Sequence, residues 1–154
     1  MDQQTLLETL KRLCHLPREA ATVEFKLNWD HAADIGKYLS ALGNAAALEG
    51  HDRAWMVWGV HDKSHEVKGT HFNPFTTKGE GNQPLIMWLT QKISPRPDFR
   101  FYELNHPRED LGSGFQDANL RITRLKDQDF SLFSHTSPHQ LSPSPETKRP
   151  LPRH

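Results

Sequence analysis

Apolar residues first recur at helical spacing: Leu6, Leu7, Leu10 and Leu13 share a face before Pro17 interrupts, which predicts a short amphipathic helix. The period then changes. From Thr22 to Leu27, the residues Val23, Phe25 and Leu27 alternate with Thr22, Glu24 and Lys26, the signature of a strand with one polar face. Asp30 is placed to cap a following helix that runs to about Glu49 before Gly50, with Ile35, Leu39, Leu42 and Ala46 as its buried stripe. Lys37, Ser40 and Asn44 share another face of that helix.

Ala54 to Val60 is almost continuously apolar and includes Trp55, Met56, Val57 and Trp58, as expected of a central strand covered on both sides. After Gly59-Val60-His61-Asp62, the stretch Lys63 to His65 reads as a tight turn, and Glu66 to Thr70 as a short returning strand ended by Gly69. A loop containing Pro74, Gly79 and Gly81 follows. Pro84 then opens a helix with Ile86, Leu89 and Ile93 on its apolar face and Pro95 and Pro97 beyond its end. Asp98 to Leu104, with Phe99, Phe101 and Tyr102, predicts another strand. Past Pro107 the pattern weakens. Leu111-Gly112-Ser113-Gly114-Phe115 is too glycine-rich for a regular strand, and Leu120, Ile122 and Leu125 predict only a sheet edge.

Composition divides the 154 residues unevenly. Apolar residues make up 35%, mean hydropathy is −0.74, and five of the 11 Pro lie between His135 and His154. That predicts an N-terminal helix within 1–17, one domain over 18–130 and a disordered Pro/Ser/His-rich tail over 131–154. The 19 Lys and Arg balance 19 Asp and Glu, so the chain as a whole offers no attraction to nucleic acid or to a membrane surface. No apolar run approaches the roughly 20 residues needed to cross a bilayer, no basic-then-apolar leader opens the chain, and the single Cys14 forms no internal disulfide. These features predict a cytoplasmic protein with no membrane partner. Cys14 reads as a small apolar helix residue rather than a catalytic thiol.

Candidate chemistry lies near the strand ends. Glu19, Glu24 and Asp62 converge if the first strand and the central strand are neighbours. Three convergent carboxylates suit a hard ion such as Mg²⁺ or Mn²⁺, which activates water and neutralises a phosphodiester transition state. Taken singly, such carboxylates are ordinarily just solvated, so the triad depends on that pairing. His61 and His65 have no paired cysteines and do not make a zinc pattern. Neither a phosphate-binding Gly-rich loop ending in Gly-Lys-Ser/Thr nor a Gly-x-Ser-x-Gly elbow is present. Lys26, Lys37, Ser40 and Asn44, with Lys63 and Lys68 on the predicted hairpin, form a polar surface whose groups donate to phosphates without reading sequence. An ordinary solvated helix face has the same composition.

Four blocks in order carry a resemblance: Glu24-Phe25-Lys26-Leu27; Ile35-Gly36-Lys37-Tyr38-Leu39-Ser40-Ala41-Leu42-Gly43-Asn44-Ala45-Ala46; Trp58-Gly59-Val60-His61-Asp62; and His65-Glu66-Val67-Lys68-Gly69-Thr70. Their order and spacing resemble the Schlafen-type AlbA-like domain over roughly Arg18 to Leu104, with an echo at Lys126-Asp127-Gln128-Asp129-Phe130. The resemblance implies an α+β fold, an Alba-like mixed sheet packed against helices, and a nucleic-acid-binding module for RNA or DNA of the kind found in bacterial regulators. Schlafen relatives include metal-dependent endoribonucleases, and carrying their carboxylates over residue by residue places them on Glu19, Glu24 and Asp62. After His106 the family's apolar strand and Arg-Val-Gly-Ser stretch are replaced by Gly112-Ser113-Gly114 and Ser131-Leu132-Phe133-Ser134. That departure predicts a degraded last strand and a truncated or frame-disrupted copy. Three functions follow as expectations: a nucleic-acid-binding module, a divalent-metal-dependent endoribonuclease, and a non-catalytic protein-interaction fragment using the proline-rich tail. Homodimer formation is left open.

Overall fold

The computed structural model describes residues 1–16, 20–107, 118–126 and 131–132. Helix α1 (Gln3–Cys14) begins where the Asp2 side chain accepts from the Thr5 backbone N–H at 2.7 Å. This bond holds the Asp2 carboxyl below its ordinary value. Lys11 and Arg12 in the last turn complement the helix dipole. As its periodicity predicts, α1 buries Leu6, Leu10 and Leu13.

Strand β1 (Val23–Lys26) leads into α2 (Ala32–Glu49), which buries the predicted stripe of Ile35, Leu39, Leu42 and Ala46 and ends at Gly50 in the left-handed conformation. The expected Asp30 cap is not formed. The cap position is His31, which makes no side-chain capping bond, because the helix starts one residue later than expected. Its ring lies 3.2 Å from Asp34, the acidic residue of the first turn.

Strand β2 (Arg53–Trp58) is followed by long loops, a short 3-10 turn at Glu80–Asn82, and α3 (Leu85–Lys92). Then come β3 (Ile93–Ser94), β4 (Phe99–His106), β5 (Ala118–Lys126) and β6 (Ser131–Leu132). Ile93, expected on the α3 face, instead begins β3. The main sheet has the order β1-β2-β5-β4; β1 and β2 run parallel, and the other pairs are antiparallel. An α+β fold with a mixed sheet is therefore what the chain adopts.

Two cores lie on opposite faces of the sheet. Met56 and Trp58 from β2 and Phe101 from β4 pack with α2 and α3, whereas Trp55, Val57, Leu104, Leu120 and Ile122 pack with α1. This double coverage explains the apolar run along β2.

Three expectations are corrected. Leu120 and Ile122 belong to an interior strand rather than an edge, since β5 pairs with β2 on one side and β4 on the other. The degraded strand was expected on Gly112–Gly114 and the Ser131–Ser134 stretch, of which Gly112–Gly114 and Phe133–Ser134 lie outside the described residues. Glu66–Thr70 is not a returning strand: only a bridge between Val60 and Val67 forms, because Lys68 N–H and Gly69 N–H both donate to the Gly59 carbonyl, at 2.7 and 2.9 Å, and end the ladder. Ser131–Leu132, assigned to the tail, pair with β3. The rest of the tail, Leu111 to Phe115, and the Asp127–Phe130 part of the echo lie outside the described residues.

Candidate nucleic-acid interface

Because β1 and β2 are parallel neighbours, the segments leaving their carboxyl ends emerge side by side. Hydrogen bonds join the two exits. Thr70 Oγ1 donates to the Leu27 carbonyl at 2.6 Å, His71 N–H donates to Asn28 Oδ1 at 2.8 Å, and Trp58 Nε1–H donates to the Trp29 carbonyl at 2.8 Å.

The predicted neighbourhood of Glu24 and Asp62 is present: both line one cavity of about 180 Å³, with Phe25, His65, Leu13 and Leu16 among its other walls. Glu19 lies outside the described residues. Among the described residues no group of three His, Cys, Asp or Glu side chains is disposed to hold a metal ion. Two carboxylates therefore share the cavity, but the described donors do not complete a cation site.

Glu24 is also engaged internally. Its Oε1 lies 3.0 Å from Lys26 Nζ, which donates to the Tyr38 hydroxyl at 3.1 Å and sits 4.5 and 4.6 Å from the ring centroids of Tyr38 and Trp29. Burial alone would lower the lysine pKa. The hydrogen bonds to Tyr38 and Glu24, together with the Glu24 charge, outweigh it and hold the ammonium above its ordinary value. Lys26 is thus a charged hub facing inward, with only 14% of its side chain exposed.

The other predicted binding residues divide by exposure. Lys37 projects into solvent and stands 3.8 Å from Asp34. Lys63 is exposed on the turn after β2, and Lys68 is exposed while pairing with Glu66 at 3.0 Å. Ser40 is buried, its hydroxyl donating to the Gly36 carbonyl at 2.9 Å. Asn44 is half-buried and has partners of its own. The face expected from helical spacing is therefore solvent-facing at Lys37 and turns inward at Ser40.

Both histidines shape the turn. His61 Nδ1 accepts from the backbone N–H groups of Lys63 and Ser64 at 3.2 and 3.3 Å. His65 Nδ1 lies 2.8 Å from the Cys14 carbonyl; because a carbonyl only accepts, that nitrogen carries the proton. The His65 ring packs 4.7 Å from Phe25.

Sequence reasoning missed Trp29. It lies between Asn28 and Asp30 in a polar stretch without periodicity, yet it lines two cavities of about 370 Å³ each. A large aromatic immediately after a strand, flanked by polar residues, was the available signal.

The family model described as Schlafen, AlbA_2 matches residues 19–143. Comparison with curated proteins returns no match. Among solved structures, the DIP2311 protein from Corynebacterium diphtheriae is similar at 11% identity and a TM-score of 0.40, over 84% of this chain and 24% of that one. The chain therefore spans about a quarter of that protein's length.

Proposed function

Because the chain belongs to the Schlafen, AlbA_2 family, we propose that it is a nucleic-acid-binding module whose contact surface is formed by the adjoining exits of β1 and β2 and the neighbouring face of α2. The observation that carries this reading is the placement of exposed Lys37, Lys63 and Lys68 around these exits. Ammonium groups on flexible stems contact phosphates independently of base sequence. Lys26 reaches a phosphate only by giving up Glu24, so its role in this reading is to position the surface. Ser40 and Asn44 support the same helix face from within.

The attraction is local. Met1 to Phe130 carries 16 basic and 18 acidic residues, so binding depends on these few cations and weakens steeply with salt. No helix among the described residues is long and apolar enough to cross a membrane.

A second reading, a divalent-metal-dependent endoribonuclease using Mg²⁺ or Mn²⁺, is favoured by the cavity that Glu24 and Asp62 share. One experiment addresses both. Gel shifts and cleavage assays are run on tRNA, single-stranded RNA and duplex DNA, in EDTA and in Mn²⁺. The module reading expects shifted bands in EDTA at low salt. The nuclease reading further expects Mn²⁺-dependent cleavage that disappears in Glu24→Ala and Asp62→Ala. Absence of binding to all three nucleic acids contradicts the first reading, and cleavage undiminished by the substitutions contradicts the second.

A further inference from the structure

The chain has four tryptophans. Trp55, Trp58 and Trp88 are 4%, 0% and 3% exposed, whereas Trp29 is 40% exposed. A large indole left in solvent is the exception among these four, and this one is held firmly. Its carbonyl accepts from Trp58 Nε1–H, its ring meets Tyr38 edge-on at 6.2 Å, and the Lys26 ammonium lies 4.6 Å from its centroid.

The surroundings identify what a fixed indole here would take. Trp29 stands between two open cavities of about 370 Å³ each, one bordered by Asn28, His61 and Asp62 and the other by Asp34 and Lys37. An apolar helix would take the charges that rim both cavities, Asp34 with Lys37 and His61 with Asp62, out of water without giving them a polar partner of its own. A flat π-system with hydrogen-bonding edges and an attached anion matches an aromatic wall, polar rims and the exposed Lys37 ammonium. Such a ligand is a nucleobase carrying its phosphate.

From this geometry we infer that Trp29 is a stacking platform for an unpaired base, so that the surface takes single-stranded or locally unpaired RNA or DNA in preference to continuous duplex. The inference rests on the nucleic-acid reading above and specifies its substrate class. Bases within a duplex are stacked on each other and offer no face to an indole without being extruded. Because Trp29 is already ordered, binding costs little further conformational freedom.

The test uses the full chain and its own fluorescence. With three tryptophans buried, quenching on titration reports mainly on Trp29. Oligo(U), oligo(dT) and a blunt duplex of equal length are titrated into wild type, Trp29→Phe and Trp29→Ala, with anisotropy of labelled oligonucleotide giving affinity; the two single strands separate RNA from DNA as the source of the base. The expected result is quenching by single strands and little by duplex. Trp29→Phe should abolish that quenching while keeping affinity within a few-fold, and Trp29→Ala should weaken binding roughly five- to hundredfold, the usual range for losing one base–aromatic stack. Circular dichroism confirms that each variant is folded; if Trp29→Ala is not, the contrast between Trp29→Phe and wild type decides. Wild-type affinity in folded Trp29→Ala, single-strand binding to wild type without quenching, or equal binding and quenching by blunt duplex overturns the inference and leaves the nucleic-acid reading standing. No binding by any oligonucleotide overturns both.

Discussion

Replacing Lys26 by methionine keeps the aliphatic stem and removes one charge from a hub of contacts. The ammonium lies 3.0 Å from Glu24, 3.1 Å from the Tyr38 hydroxyl, and 4.5 and 4.6 Å from two aromatic centroids. Charge-assisted hydrogen bonds contribute about 1.5–3 kcal/mol and a partly exposed cation–π contact about 0.5–1 kcal/mol, but these are not additive, and methionine restores part of the packing. With 14% and 30% exposure, the Lys26 and Glu24 side chains are partly desolvated, which places the pair above the surface median. The expected loss is about 2 kcal/mol, a fall in Tm of about 4–8 °C for a chain of this size. Urea denaturation followed by circular dichroism measures it, and a double-mutant cycle with Glu24→Gln isolates a coupling of about 1 kcal/mol. The pH dependence has a definite sign. The Lys26 pKa is raised on folding, so its contribution is complete below the ordinary lysine range and fades as pH rises through the folded value. The gap between wild type and Lys26→Met should therefore hold across neutral pH and close only in strong alkali. A variant within about 0.5 kcal/mol of wild type with no coupling to Glu24 would refute the hub.

Further outcomes follow from the surrounding structure. Gly59 has φ of +104°, and an added Cβ would lie 3.1 Å from the Gly69 backbone and 3.2 Å from Leu120; Gly59→Ala should destabilise by more than about 1 kcal/mol, and an unchanged urea midpoint would contradict the turn. Thr123 is fully buried and its hydroxyl has no partner among the described residues, so Thr123→Val should be neutral or stabilising by up to about 2 kcal/mol, and a drop in Tm would show the hydroxyl to be bonded. The Cys14 thiol is half-buried and its pKa is pushed up by burial; alkylation at pH 8 should be slow when folded and fast in urea, and rapid reaction of the folded chain would contradict its placement.

Much of the scaffold was legible in the pattern of residues. The α2 stripe and the central position of β2 follow from periodicity and an apolar run, because a helix packed on a doubly covered strand imposes both. The neighbourhood of β1 and β2 was legible only as a condition, since pairing is a tertiary property. Strand β5 was misread for a physical reason: Arg121 and Thr123 alternate with Leu120 and Ile122 and mimic a solvent-facing side, yet they are 8% and 0% exposed. Arg121 is accommodated by Glu103 on β4, 3.4 Å away, a cross-strand relation that no local window contains. The same limit applies to the site. Residue types marked Lys26 as a phosphate contact, but Tyr38 reaches it from α2 and, with Glu24 two residues away on the same strand, turns it inward. Trp29 left no periodic trace because its role depends on what the fold does not cover.

The central claim is that exposed lysines around the β1 and β2 exits contact nucleic-acid phosphates, and the salt dependence of oligonucleotide binding measures it most directly. Anisotropy titrations of the full chain across a salt series should give log K falling linearly with log salt, and Lys37→Ala and Lys63→Ala should each reduce the slope by about one. Binding that is absent at low salt, or a slope that neither substitution changes, would contradict the account.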